Sequence, residues 1–305
     1  MDREKTNAMR GVLCTLVGGC CWGFSGSCGQ YLFHNYGVDP QWLTVVRMVG
    51  AGLVATLIVL WRQRDRLKQC VTSRRDLAVL LTYGVFGLLL SQYTYLEAIS
   101  ATNAGTATVL QYTGPVLIMM VVCLSTRRLP RVPEAISIVL VVLGTFLIAT
   151  HGDIHAMEIS RKGLAWGMAA AGTMLLYTML PKPIAPRYGA FLVTGTGTLI
   201  GGLAFFLLVR PWPLLVSLPV DGWLAVMGMV VLGTLVAYPL YLQGVNDIGP
   251  VKASMLASVE PLSATVLSVV WLGSAFSVWD GLGFVCIIAT VFLLAVPERR
   301  KSEEK

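Results

Sequence analysis

The fold class that the sequence predicts is an all-α integral membrane protein of ten transmembrane helices, built as two inverted five-helix repeats. Three observations predict it: long apolar runs, a duplicated pattern, and basic residues sorted to alternate connections. The 305 residues are 55% hydrophobic and 13% charged, with a mean hydropathy of +0.71, too apolar for a water-facing shell around one core. A helix needs about 20 residues to cross about 30 Å of hydrocarbon, so the chain accommodates about ten spans with short connections.

Apolar runs bounded by charge, Pro or Asn predict spans at 11–31, 42–61, 77–98, 103–124 and 133–150. A second set falls at 161–180, 189–209, 222–243, 250–271 and 279–296. The breaks between the third and fourth and between the eighth and ninth spans are only a few residues long. Arg3, Lys5 and Arg10 precede the first run as in a signal peptide, but that run is too long and nine more follow.

Most of the 23 basic residues share one side: the N-terminal tail, the Arg62–Arg75 connection, Arg127 to Arg131, Lys182, Arg187, Lys252 and the C-terminal tail. The opposite side receives Arg161, Lys162 and Arg210. By the positive-inside rule both termini are cytoplasmic, in a multi-pass protein of the inner (cytoplasmic) membrane. Charge distributed this way marks a lipid bilayer as partner and argues against nucleic acid, although the net charge is +7.

A shift of 146 residues places Tyr95-Leu96 on Tyr241-Leu242, Ala107 on Ala253, Leu110 on Leu256 and Pro115 on Pro261. Five spans per half is an odd number, which inverts the second half relative to the first, a design common in secondary transporters. The halves are residues 1–150 and 151–305, the second ending in a short cytoplasmic tail.

Several short motifs fall in a fixed order: Trp22-Gly23-Phe24-Ser25, Arg47, the Tyr95–Pro115 stretch, Glu260-Pro261, and the acidic helix starts Glu134 and Asp280. In these residues and their order the chain resembles the drug/metabolite transporter superfamily in its EamA branch of ten-span proteins. The resemblance implies export of amino acids or related metabolites from a prokaryotic cell.

Polar side chains inside a membrane face protein or water. In the ninth span Ser254, Ser258, Pro261, Thr265 and Ser268 share one helix face, and the fourth span answers with Thr108, Gln111, Tyr112 and Pro115. Mid-span prolines at 115 and 261 predict kinks that free a carbonyl. These residues predict a central substrate site, against the alternative of packing kinks whose hydroxyls bond back to their own helices. Trp22 and Ser25 of the first span, Ser91 and Tyr95 of the third and Tyr241 of the eighth add small and aromatic linings. The glycine pairs Gly19/Gly23, Gly163/Gly167 and Gly197/Gly201 predict close helix packing.

Glu260 lies near the bilayer centre, where a carboxylate is costly unless it has work to do. An ideal helix puts it about 120° from the serine stripe, on the face of Ala253, Ala257 and Ala264. Two readings follow: a proton carrier, or a structural carboxylate held by hydrogen bonds or by Arg47. Arg47 is predicted to hold Glu97 or Glu260 as a partner rather than to attract a passing anion.

The residues supply no cofactor site. His34, His151 and His155 fall at or near the outer surface, and with no cysteine and only Asp153 near the last two, no metal site is expected. Gly23-Phe24-Ser25-Gly26 spells the GxSG of an intramembrane protease, yet no span holds a histidine base in its interior. No GxxxxGK[ST] loop is present for an ATP-driven pump. An enzyme is therefore not predicted. A secondary transporter of a small metabolite is, with a facilitative channel or uniporter without proton coupling as the alternative.

Overall fold

In the computed structural model of the chain, residues 2–150, 153, 160–210, 217–272 and 277–295 are described, and no strand occurs among them. The first half comprises α1 (Asp2–Tyr36), α2 (Pro40–Arg62), short α3 (Arg64–Thr72) and α4 (Arg74–Thr82). A π-helical segment (Tyr83–Leu89) joins α4 to α5 (Leu90–Ala101), and α6 (Ala104–Gln111), α7 (Gly114–Thr126) and α8 (Val132–Thr150) follow. The second half comprises α9 (Arg161–Met179), the single turn α10 (Ala185–Tyr188), α11 (Ala190–Val209) and α12 (Val220–Val230). A second π segment (Val231–Val236) leads into α13 (Ala237–Ile248), then α14 (Pro250–Leu256), α15 (Val259–Leu272) and α16 (Val278–Ala295).

Seven helices among the described residues are long and apolar enough to cross a bilayer: Lys5–Tyr36, Pro40–Arg62, Arg74–Ala101, Ala104–Thr126, Val132–Thr150, Ala190–Val209 and Val220–Ile248. Their outward faces carry residues such as Leu57, Val139 and Leu207, all more than half exposed, as lipid contact requires. The predicted sixth span is the less apolar α9, and the predicted ninth arrives as two pieces, α14 and α15. His151, His155 and the C-terminal tail lie outside the described residues; His34 is exposed in the last turn of α1.

Local chemistry explains the helix ends. Asp39 caps α2 by accepting from the amides of Gln41 (2.7 Å) and Trp42 (3.1 Å), and Pro40 starts the helix, where its missing N–H costs nothing. Asn103 caps α6 by accepting from the Thr106 amide at 2.8 Å, which turns the chain within the narrow break after α5. At the corresponding break after α13, Gly249 adopts φ +84, a conformation that glycine supplies without strain, and Pro250 opens α14.

Glycines set the close approaches. α2 packs on α11, where a Cβ on Gly52 would lie 2.5 Å from the Leu199 backbone. α1 runs through the middle against α12, α13 and α15. A Cβ on Gly23 would meet the Glu260 carbonyl oxygen at 2.5 Å, and one on Gly201 the Gly84 carbonyl at 2.3 Å. The glycine pairs read from the sequence thus sit where helices touch. So does most of the small-residue face of α1, since Gly11, Gly18 and Gly29 abut α12 and α13 instead of an open space.

Candidate functional site

The polar groups converge on one small enclosed cavity in the middle of the bundle. Its walls come from seven helices and include Trp22, Ser25, Arg47, Ser91, Gln92, Tyr95, Gln111, Tyr177, Tyr238 and Glu260. About 20 Å³ is accessible to water, room for about one molecule. At this volume the chamber is too narrow for a metabolite.

The two proline-linked breaks build its floor. Pro261 has no N–H for the carbonyl of Ala257, four residues back, and the helix stops at Leu256 and restarts at Val259. The Ala257 oxygen, without its usual partner four residues on, accepts from the Glu260 amide at 2.9 Å and lies 2.5 Å from the Tyr112 hydroxyl, so the other half of the chain caps the break. The matching stop before Pro115 ends α6 at Gln111 and restarts α7 at Gly114, turning Gln111 into the cavity and Tyr112 towards α14.

Glu260, 5% exposed, sits directly beyond the break. Its Oε1 accepts from the Tyr95 hydroxyl at 3.0 Å, and its Oε2 lies 3.2 Å from the Tyr112 hydroxyl. The expectation that Glu260 lies on an alanine face turned away from the site is therefore corrected. That geometry extended one ideal helix through Ala257-Ser258, where the chain makes a turn, so the register beyond it is reset.

The serine stripe is corrected by the same break. Ser254 donates back to Val251 O at 3.0 Å and Thr265 to Pro261 O at 2.9 Å, while Ser258 is fully buried with no hydrogen-bond partner. None of the three is a cavity wall. Thr108 stands behind Tyr95, with its hydroxyl 2.9 Å from the Tyr95 oxygen and 2.6 Å from Ala104 O. Tyr112 and Tyr241 likewise support the site from behind. The Tyr241 ring lies 5.1 Å from Trp22, and its hydroxyl is 3.0 Å from that of Thr178.

Arg47 is 4% exposed and faces the cavity, but it does not hold a carboxylate. Its Nε donates to Thr234 Oγ1 at 3.2 Å, and among the described residues no acid lies within ion-pair distance of it. Of its two expected partners, Glu97 is 3.6 Å from Lys162 and Glu260 is held by the tyrosines. Thr234 belongs to the π segment and donates to Met229 O, five residues back, at 3.1 Å. The wide turn offers its hydroxyl oxygen to Arg47.

Sequence reading missed Tyr177, Tyr238 and Gln92. The two tyrosines form with Trp22 a panel of edge-on rings, Trp22 to Tyr238 at 5.0 Å and Tyr177 to Tyr238 at 5.7 Å. Polarity within an apolar run was the available signal for Gln92, which follows Ser91 directly. The two π segments carry no sequence pattern of their own, and such segments gather at functional sites.

A polytopic helical protein enclosing a polar, aromatic-lined chamber belongs by form to the membrane transporters. The particular family is given by sequence: residues 9–150 and 161–296 both match the model of the EamA-like transporter family, and the chain belongs to that family. The uncharacterized inner membrane transporter YicL of Salmonella typhimurium is 34% identical over 96% of this chain and 97% of its own. An uncharacterized transporter of Clostridium kluyveri is 24% identical over 85% of each chain. A solved crystal structure at 17% identity superposes with a TM-score of 0.73 over 96% of both chains, a likeness of fold alone.

Proposed function

We propose that this membrane transporter is a secondary carrier that exports a small metabolite, an amino acid or a related compound, across the cytoplasmic membrane by alternating access. In this reading ten helices form two inverted five-helix repeats, residues 1–150 and 151–305, with both termini cytoplasmic. The chamber walled by Trp22, Arg47, Gln111 and Glu260 is the site that opens in turn to either side. The observation that carries the reading is the pair of breaks at equivalent points of the duplication. They meet at one closed polar chamber, and one break is capped by a side chain from the other. Two family-model matches in tandem and the YicL name support the repeats and the membrane.

Glu260 is the coupling acid of this proposal. Five contacts, from Ala257 O through Tyr112, Glu260, Tyr95 and Thr108 to Ala104 O, share three hydroxyl protons. A carbonyl cannot donate. Tyr112 spends its one proton on Ala257 O, and a proton on Glu260 completes the contact to Tyr112. Closed chamber and protonated acid go together, which is how a proton gradient drives a carrier.

Uptake of a metabolite panel into proteoliposomes, with and without a pH gradient, tests the proposal. Saturable, gradient-accelerated uptake of an amino acid or relative is expected, and Glu260→Gln loses gradient-driven accumulation while retaining exchange. Accumulation unchanged in Glu260→Gln removes the proton role. Ohmic conductance in place of saturable flux replaces the carrier with a channel.

A further inference from the structure

We propose that Arg47 is the anion-recognising pole of the chamber: the transported molecule carries a carboxylate, which the guanidinium takes up with Gln92 beside it. This rests on the carrier reading above and narrows its substrate class.

Three observations carry it. Arg47 is a buried cation whose bond among the described residues is to a neutral hydroxyl, Thr234 at 3.2 Å, and the two acids expected to pair with it are engaged elsewhere, Glu97 with Lys162 and Glu260 with Tyr95 and Tyr112. A charge kept in the membrane interior without a counter-charge is expensive, and such residues mark substrate paths. Gln92, 1% exposed, lines the same space with both amide atoms unbonded. Trp22 Nε1, a donor only, is also buried without a partner.

These groups offer donors to one small volume, so the missing partner is rich in acceptor oxygens. A guanidinium fork matches the two in-plane oxygens of a carboxylate, and a single point acceptor would leave donors idle. The rings of Trp22, Tyr177 and Tyr238 next to it suit an apolar or aromatic body. The 20 Å³ of the closed state holds none of this, so the subsite fills when the chamber widens.

Ligand-induced thermal stabilisation of the purified full chain tests the assignment with matched pairs: phenylalanine and its amide, 3-phenylpropionate and 3-phenylpropionamide, leucine and leucinamide. Acids are expected to bind at least about tenfold better than their amides, the scale of one lost charge-assisted bond. Arg47→Gln erases that preference, Arg47→Lys keeps part of it, and Lys162→Gln leaves it unchanged. The unliganded melting temperature separates folding damage from recognition. If Arg47→Gln does not fold, the wild-type pairs and Arg47→Lys decide alone.

Amides that match the acids, a preference that survives Arg47→Gln, or no binding by any acid overturns the assignment. Proteoliposome flux distinguishes the two levels of failure. Transport of neutral or cationic compounds with the acids ignored sinks the Arg47 role and leaves a carrier; flux of nothing removes both.

Discussion

The two proline-linked breaks make the same bend and put it to different uses. At the first, Gly114 falls where the duplication puts Glu260, and a Cβ there would lie 2.8 Å from Met174 Sδ and 3.1 Å from Ala171 O. No side chain fits. At the second, Glu260 directs a carboxylate to Tyr95 and Tyr112, and the close approach is made by Gly23 of α1 against the backbone. Duplication supplied two hinges. One packs and lends a tyrosine; the other carries the acid and the carbonyl that the tyrosine caps.

That asymmetry is most strongly tested by filling each glycine contact. Gly23→Val drives a side chain into the Glu260 carbonyl and into Ser263, and it should cost about 3 kcal/mol or more, seen as loss of monodisperse protein. Gly114→Ala presses partly on a flexible methionine end and should cost about 1 kcal/mol. Equal damage at both would erase the distinction.

Tyr112→Phe comes next. It strips the Ala257 oxygen of a donor and Glu260 of the hydroxyl oxygen that takes its proton, a loss of about 1–3 kcal/mol in a buried setting, readable as a lower melting temperature with the chain still folded. A fully stable Tyr112→Phe protein would mean that the Glu260 amide alone satisfies the Ala257 carbonyl.

Restoring the missing amide should have the smallest effect. In Pro261→Ala the new N–H competes for Ala257 O, and transport should slow by a few fold, on the order of 1 kcal/mol. Pro115→Ala should slow it less, because no side chain among the described residues caps Gln111 O. Proteoliposome rates for the two variants rank the hinges directly, and the reverse order would contradict the account.

Much of this was legible in the sequence. A polar or aromatic residue inside an apolar run announces itself, and Trp22, Ser25, Arg47, Ser91, Tyr95, Gln111 and Glu260 do converge on one chamber. Direction was not legible past a break. Ser254 and Ser258 share a face with Pro261 only if the helix is continuous, and the turn at Ala257-Ser258 rotates Glu260 inward and leaves the serines to packing. Tyr177 and Tyr238 were hidden for another reason, since tyrosines in a membrane helix also serve as interface or core. Arg47 was assigned an acid because buried charges usually pair. The π segment that presents Thr234 instead depends on a wide backbone turn that no residue pattern encodes.

The central claim is that the chamber faces each side of the membrane in turn. The most direct measurement is labelling of Gln111→Cys by a membrane-impermeant thiol reagent, in a background with the seven native cysteines replaced. The account predicts labelling from either face, with the reactive face following the imposed pH gradient, and no labelling of Ser254→Cys under the same conditions. Reaction of Gln111→Cys from one face only, whatever the gradient, or equal reaction at Ser254→Cys, would contradict it.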